Sequence, residues 1–291
     1  MAVHNRRRVR VALALLVAAV VLAGTGCERR SARSPSAPAA AATLLVTSDL
    51  GASVEYRGVA AAGGSVLDAL RAATDVRTAY GGGFVSEMFG LRSDPGGRRD
   101  WIYWVNGRLA ERGARDVRVR AGDHVWWDYQ RWSPDRELRA VVGAWPAPFA
   151  TVATVAADPP IAGWLRARGA RVAAAAAWRV RVGGERRLRR DDPEWARAND
   201  AGDLPASIND GVVRRLGADG ASMVAVPDGA AVAVALPGPR DGVTFVIVGR
   251  DDAAARRAAT AVMTDADALA GHVAVVFDAD GAVIAVAGEG S

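Results

Sequence analysis

An aromatic stretch near the middle of the first half constrains the fold of this chain more than any other feature. The run WIYWV at Trp101–Val105 consists of β-branched and aromatic residues, which favour β-strands. Asn106-Gly107 follows it, and this dipeptide suits the positive φ angles of a tight turn. The alternation of Val and Arg over 117–120 is typical of a half-buried strand. One face of the last aromatic strand carries Val125, Trp127 and Tyr129. The sequence therefore predicts aromatic strands that face each other in one sheet.

Five short motifs around this stretch occur in a fixed order. They are Gly64-Ser-Val-Leu-Asp-Ala-Leu70, Gly83-Phe-Val85, Trp101-x-Tyr-x-Val-Asn-Gly107, Gly113-Ala114 and Gly122-Asp-x-Val-x-Trp-x-Tyr129. In this order and spacing, residues 44–132 resemble the transcobalamin-like C-terminal domain of bacterial surface proteins. The resemblance implies a β-grasp-type fold with one helix on a mixed sheet, and it implies cobalamin as a candidate ligand. The helical barrel that completes the transcobalamin site is absent from this chain.

The N-terminus has the features of an export signal over residues 1–26. A cluster of arginines precedes the apolar run Val11–Ala23, which is too short for a comfortable transmembrane helix. Cys27 follows small residues, as in a bacterial lipobox, although Gly24 stands where a Leu is usual. We therefore expect a lipid-anchored protein at the outer face of the cytoplasmic membrane. The alternative is an ordinary secretory signal with a chance cysteine, which would give a secreted protein.

Residues 27–42 are rich in Ser, Pro, Ala and Arg and predict a flexible linker behind the anchor. Cys27 is the only cysteine, so an intramolecular disulfide cannot stabilise the exported protein. Its stability must come from apolar cores.

The formal net charge of +5 does not indicate a nucleic-acid-binding protein. All 37 basic residues are arginines, and four of them lie in the leader, which has no acidic residue, so the mature chain keeps +1. No basic patch with base-stacking aromatic residues stands out from this composition. We therefore expect no nucleic-acid partner.

The expected fold class is α+β, with a β-grasp-like domain at 43–138 and a small α/β or α+β domain of unknown family at 139–291. In the first domain a capping-box-like start at Ser65 predicts a helix to about Thr74. In the second domain, residues 186–203 are polar and predict an irregular segment, with at most a helical turn at 193–198. The second-half predictions are strands at 151–156, 171–182, 223–226, 231–236 and 243–248, helices at 161–168 and from Asp251 to Met263, and a hairpin at 272–287.

No motif in the sequence predicts an enzyme or a metal site. His124 and His272 lack neighbours at metal-ligand spacing. The carboxylate pairs Asp191-Asp192 and Asp251-Asp252 are more typical of helix caps and solvated faces than of acid–base catalysis. A nucleophile elbow and a phosphate-binding loop are also missing from the sequence.

The candidate binding residues are tryptophans. Trp104 and Trp126 have the strand phase opposite to that of Trp101 and Trp127, so they belong to the face that the predicted helix does not cover. They form either an exposed aromatic patch, together with Trp132, or a contact with the second domain. Two functions remain open. One is a tethered protein that captures a small ligand, such as a corrinoid, for a transporter or surface-protein partner. The other is an adhesion or assembly module that binds protein or cell wall.

Overall fold

The computed structural model describes residues 41–151 and 154–288, with only the backbone at 150 and 151. The predicted signal peptide, Cys27 and nearly all of the linker lie outside the described residues. The described residues form a mixed α+β structure, as the sequence predicts. No helix within these residues has the length and apolar character needed to cross a bilayer.

The first half of the described chain is mostly β-structure with one α-helix. Its elements are β1 Ala41–Ser48, β2 Ser53–Ala61, α1 Val66–Ala73, β3 Val76–Ala79, β4 Phe84–Met88, β5 Leu91–Arg92, β6 Arg99–Val105, β7 Arg108–Leu109 and β8 His124–Arg131.

The main sheet of the first half is mixed and has the order β2-β1-β8-β6-β7. Strands β1 and β8 run parallel at its centre, and β6 pairs with β8 in the antiparallel sense. Strands β3, β4 and β5 form a separate small sheet. A central parallel pair of the first and last strands agrees with the β-grasp expectation, and the assignment to that fold stays a prediction.

Helix α1 begins where the sequence predicts. The Ser65 side chain accepts a hydrogen bond from the Asp68 N–H, and the Asp68 carboxylate accepts one from the Ser65 N–H. This capping box satisfies free N–H groups in the first helical turn. The buried stripe of the helix packs on the side of the main sheet that carries Trp101, Tyr103 and Trp127. The predicted helix is confirmed.

The predicted tight turn after β6 is also confirmed. Asn106 and Gly107 have φ angles of 56° and 77°. Two consecutive positive φ angles fit the twist of a two-residue hairpin turn. By contrast, residues 117–120 form no strand but a single bridge, between Arg118 and Ser65, because this segment lies along the start of α1 instead of joining the sheet.

The second half contains a larger sheet, a small sheet and several helices. Its elements are α2 Ala147–Thr151, β9 Val155–Ala157, α3 Ile161–Ala167, β10 Trp178–Gly184, α4 Glu185–Asp191, α5 Pro193–Ala201, β11 Ala206–Asn209, β12 Val212–Leu216, β13 Met223–Ala225, β14 Ala231–Pro237, β15 Val243–Gly249, α6 Asp252–Thr264, β16 Val275–Phe277 and β17 Val283–Val286. Short 3-10 helices lie at Tyr80–Gly82, Val142–Ala144, Pro239–Asp241 and Ala266–Leu269.

The larger sheet has the order β17-β16-β14-β15-β10-β9 and is covered on both faces. Strands β9, β10 and β15 are parallel, while β14, β16 and β17 are each antiparallel to a neighbour. Helix α6 packs its alanines on one face. Leu188 of α4 and Trp195 of α5 pack on the other face. Strands β11, β12 and β13 form the small sheet.

Three predictions for the second half were wrong in part. Thr151 ends helix α2, and the strand predicted at 151–156 is Val155–Ala157. The strand predicted at 171–182 begins only at Trp178. The segment 186–203 is not irregular, since α4 and α5 occupy most of it. Leu188 and Trp195 are the large apolar residues that these two helices bury. Most of their neighbours in the sequence are charged, so the segment shows no clear apolar periodicity.

The uncovered face of the first sheet packs against the second half. Leu45, Trp104 and Trp126 belong to one apolar cluster with Val232 and Val246 of the larger sheet. The two halves therefore share a core across the predicted boundary near residue 138.

Candidate functional site

The structure places Trp104 and Trp126 in the shared core and not on the surface. Their exposed fractions are 0% and 1%, and their ring centroids lie 4.9 Å apart. The Trp104 indole N–H donates to the carbonyl of Leu138 at 2.7 Å. The sequence left open an exposed aromatic patch or a contact with the second half, and the structure shows the contact. The interpretation of these two residues as an exposed ligand patch is therefore corrected.

Trp126 also belongs to a buried polar network. Its indole N–H donates to Thr47 Oγ1 at 2.8 Å, and the Thr47 hydroxyl donates to Asp128 Oδ1 at 2.6 Å. Asp128 accepts two further hydrogen bonds, from the N–H groups of Leu50 and Gly51. Both residues lie in a turn with positive φ angles. The carboxylate thus holds the β1–β2 turn against β8.

Burial raises the pKa of the Asp128 carboxyl to about 6, although the hydrogen bonds from Thr47, Leu50 and Gly51 lower it. This carboxyl is completely enclosed and every contact described above is internal to the fold. We therefore assign Asp128 a structural role.

The edge of the first sheet is incomplete along β6. The Asn106 N–H donates to the His124 carbonyl. In this register the backbone N–H and C=O groups of the even-numbered residues of β6 bond to β8, and those of the odd-numbered residues face away from β8. On that side, the backbone of Arg99 exchanges hydrogen bonds with the backbone of Asp94, and the Tyr103 carbonyl accepts one from the Ala110 N–H. Strand β7 pairs only with residues 104 and 105. The carbonyl of Trp101 therefore faces a gap in the edge.

A cleft with a volume of about 670 Å³ lies along this gap. We call it the Trp132 cleft, and its lining residues are Gly83, Phe84, Val85, Trp101, Ile102, Tyr103, Leu109, Ala110, Glu111, Arg112, Gly113, Trp127, Gln130, Trp132, Ser133, Pro134, Arg136, Glu137 and Leu138. Trp132 is 37% exposed, an uncommon state for so large an apolar side chain. Of the three candidate binding residues from the sequence, Trp132 alone lines this cleft.

Two buried side chains of the cleft have an unsatisfied polar atom. Gln130 is 3% exposed and its Oε1 has no hydrogen-bond partner among the described residues. The same holds for Nε1 of Trp127, whose ring stacks on Tyr103 at 4.4 Å. An unpaired buried polar group costs about 1–3 kcal/mol, so native proteins rarely keep one without a partner. These atoms mark the cleft as a place where a bound molecule could supply the missing partner.

Charged side chains at the Trp132 cleft are unequally paired. Glu111 and Glu137 each form an ion pair with an arginine outside the lining, Arg108 at 3.3 Å and Arg139 at 2.8 Å. Arg136 lines the cleft and takes part in no ion pair within the described residues. The carboxylates of the cleft are thus neutralised from outside. Arg112 also lines the cleft without an ion pair among the described residues, but it is exposed, whereas Arg136 is partly buried.

A second cleft, of about 750 Å³, lies where β10 and β15 end. Its arginines are largely paired with carboxylates of the same region: Arg187 with Asp252 and Arg189 with Glu185, both at 3.0 Å. Such internally neutralised charges are typical of a solvated polar surface. The Trp132 cleft, with apolar walls and unsatisfied polar atoms, is the stronger candidate for a binding site.

The candidate catalytic and metal residues do not assemble into a site. His124 is half-buried, its Nδ1 lies 2.7 Å from Thr43 Oγ1, and desolvation lowers its pKa to about 4. Asp251 caps α6 and Asp192 caps α5, as expected for such pairs. Within residues 41–151 and 154–288, no three His, Cys, Asp or Glu side chains come close enough to hold a metal ion.

Sequence reasoning missed Gln130 and Arg136. Gln130 follows Tyr129 in a strand where the alternation of apolar residues has just ended, and a polar residue there is typical of a surface. Only the three-dimensional packing shows that Gln130 is buried and unpaired. The one available signal was the neighbouring Trp132, which the sequence did single out.

Comparisons with known proteins concern mainly the first half. Residues 63–131 match the model of a family described as "Domain of unknown function (DUF4430)". This segment runs from just before α1 to the end of β8, lies inside the predicted range 44–132, and covers less than half of the chain. The comparison does not show the transcobalamin-like family. No curated protein is significantly similar to the chain.

One solved structure with detectable similarity is titled "Crystal structure of a putative metal binding protein" and comes from Ruminococcus gnavus. The two sequences are 16% identical, and the alignment covers 32% of this chain and 98% of the other, with a TM-score of 0.27.

Proposed function

We propose that this protein binds a small organic molecule in the Trp132 cleft and carries out no reaction on it. The observation that carries the proposal is the buried Gln130 amide, whose Oε1 lacks a partner among the described residues in a cleft that is lined by both aromatic and charged side chains. A ligand polar group that reached this amide, after a small rotation of its side chain, would remove the cost of the unpaired atom.

The size and walls of the cleft fit such a ligand. Its volume lies within the range of about 300–1,000 Å³ that is usual for small-molecule sites, and aromatic rings form much of its lining. The indole of Trp132 offers a large rigid surface at low entropic cost. A flat, partly apolar molecule is the ligand that suits this arrangement.

A corrinoid remains a candidate because of the motif resemblance over residues 44–132. A corrinoid is much larger than a drug-sized molecule, so only one side of it could enter this cleft. Its remainder would need a second surface, from another subunit or another protein.

The proposal includes export and membrane attachment through Cys27, as the N-terminal sequence predicts. A lipidated chain would hold the cleft at the outer face of the membrane, where it could capture ligand for a transporter or surface-protein partner. Replacement of Cys27 by Ser, followed by cell fractionation, tests this part. The proposal of an anchor fails if the variant stays in the membrane pellet as the wild type does.

A neutral fluorescent probe, N-phenyl-1-naphthylamine, tests binding in the cleft directly. We expect a saturable rise in probe fluorescence with the wild type and a loss of at least tenfold in affinity with Trp132→Ala. Val59→Ala is the control, because Val59 is 73% exposed on β2, at the opposite edge of the sheet. An equal response of the two variants would show that the probe binds elsewhere and would contradict the proposal.

Cyanocobalamin titration separates the ligand classes. Quenching of tryptophan emission at micromolar concentration, lost in Trp132→Ala, would support a corrinoid. Probe binding without a cobalamin response would support a smaller organic ligand. If neither molecule binds up to millimolar concentration, the adhesion or assembly function becomes the better account.

A further inference from the structure

Arg136 occupies an unusual position beside the Trp132 cleft. It follows β8 in the chain, is partly buried, and also lines a neighbouring pocket of about 320 Å³ between the two halves. Within the described residues, the one hydrogen bond of its guanidinium runs from Nη1 to the Met223 sulfur at 2.9 Å. A thioether is a weak acceptor, so this contact does little for a cation that needs strong acceptors.

No carboxylate of the described residues lies within ion-pair distance of Arg136. Burial lowers the pKa of its guanidinium, and the charges of Asp203 and Asp219 act in the opposite direction. Neighbouring arginines are different: Arg108 and Arg139 each have a carboxylate within 3.3 Å. Arg136 is therefore a partly desolvated cation with unused donors.

The chemistry of a guanidinium defines which group of a ligand would pair with Arg136. Its planar fork of N–H groups matches the two oxygens of a carboxylate and forms charge-assisted hydrogen bonds with it. Such bonds are stronger where water is partly excluded, and Arg136 is itself partly buried. Trp132 and Gln130 line the same cleft, so one molecule could contact all three side chains.

We infer that the molecule bound in the Trp132 cleft is an organic acid, whose flat apolar part lies against Trp132 and whose carboxylate or similar compact anionic group pairs with Arg136. This inference rests on the proposed function, because it assigns the charge of the ligand in that same cleft.

A matched pair of probes tests the inference. 1-Anilinonaphthalene-8-sulfonate and N-phenyl-1-naphthylamine share one ring skeleton, but only the former is an anion. In Arg136→Met we expect the dissociation constant of the sulfonate to rise about tenfold, which corresponds to ~1.4 kcal/mol. The dissociation constant of the neutral probe should change less than twofold. Arg136→Lys, which keeps the charge but not the fork, should lose less affinity for the sulfonate than Arg136→Met does.

Arg131→Met serves as the control, because Arg131 is exposed, lies next to Gln130 in the chain and does not line the cleft. It should leave both dissociation constants within twofold of the wild type. Circular dichroism of each variant shows whether it is folded, and Arg136→Lys keeps the test valid if the Met variant is not.

The outcomes separate this inference from the proposed function. If the neutral probe binds the wild type but Arg136→Met weakens both probes equally, Arg136 is only part of the wall and the inference is wrong while the cleft still binds ligand. The inference is also wrong if the sulfonate affinity does not change. If the neutral probe fails to bind the wild type, the proposed function fails and the inference fails with it.

Discussion

The main sheet of the first half is packed with aromatic rings, whereas the larger sheet of the second half is built mainly from small and medium aliphatic residues. In the first sheet, Trp101, Tyr103 and Trp127 lie under α1, and Trp104 and Trp126 form the opposite face. In the larger sheet, β14 has the sequence AVAVALP and its alanines face the alanines of α6. The two sheets meet in one shared core.

The difference in side-chain size bears on where the candidate site lies. Alanine allows a helix to approach a sheet closely, and four of the five buried residues of α6 are alanines. Indole rings need space and a hydrogen-bond acceptor for each N–H. Trp104 and Trp126 have such acceptors, whereas Trp127, at the open edge of β6, lacks one among the described residues, as do Trp145 and Trp195 of the second half. Bulky packing leaves gaps, and one of them is the Trp132 cleft.

The largest expected effect concerns the shared core. Trp126→Ala removes a fully buried indole that contacts both halves, and we expect it to lower the free energy of unfolding by about 3–5 kcal/mol. Urea denaturation followed by circular dichroism measures this loss, and one transition should report both halves. Two separate transitions, or a loss below about 1 kcal/mol, would show that the halves are energetically independent.

The buried network in the first sheet should make the stability of the protein depend on pH. The folded pKa of Asp128, about 6, is higher than its ordinary value of 3.8, so the folded state favours the protonated carboxyl. Its contribution to stability is complete below about pH 4 and is lost as the pH rises through about 6.

Asp128→Asn removes this titration. We therefore expect the stability of the wild type relative to the variant to fall between pH 4 and 7, by up to about 3 kcal/mol. Urea titrations of both proteins at each pH provide the difference. A difference that does not change over this range would show that the hydrogen bonds from Thr47, Leu50 and Gly51 cancel the effect of burial.

The tight packing of the larger sheet can be tested with the opposite kind of substitution. Ala233 is fully buried on β14 and faces the layer that contains α6. Ala233→Leu should destabilise the protein by about 1–3 kcal/mol, since a close-packed core must shift to accept the added volume. Val59→Leu on the exposed edge strand β2 is a control for side-chain size. A neutral Ala233→Leu variant would indicate a loosely packed second half.

The smallest stability effect should occur at the candidate site. Trp132→Ala truncates a partly exposed ring, so we expect a change within about 0.5 kcal/mol in the free energy of unfolding, together with loss of probe binding. The contrast with Trp126→Ala would separate a binding tryptophan from a packing one. A loss of several kcal/mol would instead assign Trp132 to the core.

Local features of the fold could be predicted from the sequence because they depend on neighbouring residues. The capping box at Ser65, the Asn106-Gly107 turn and the hairpin strands at Val275–Phe277 and Val283–Val286 all belong to this group. Each depends on hydrogen bonds or dihedral angles within a few positions, so a short window of sequence suffices.

The other features depend on residues that are distant in the chain. The phase of Trp104 and Trp126 could be predicted, but their burial depends on residues such as Val232 and Val246, more than a hundred positions away. The unpaired states of Gln130 and Arg136 are likewise properties of the assembled structure. For this reason the sequence could single out Trp132 as a candidate but could not identify Gln130 and Arg136.

The parallel pairing of β1 with β8 has a geometric consequence for a tethered protein. The backbone enters the sheet at Ala41, whose carbonyl accepts a hydrogen bond from Gly122, just before β8 begins. Ser48 lies opposite Tyr129 at the other end, which is about 23 Å away at ~3.3 Å per residue, and Trp132 lies just beyond it. In the membrane-anchored form proposed above, the chain would therefore enter the sheet at the end remote from Trp132.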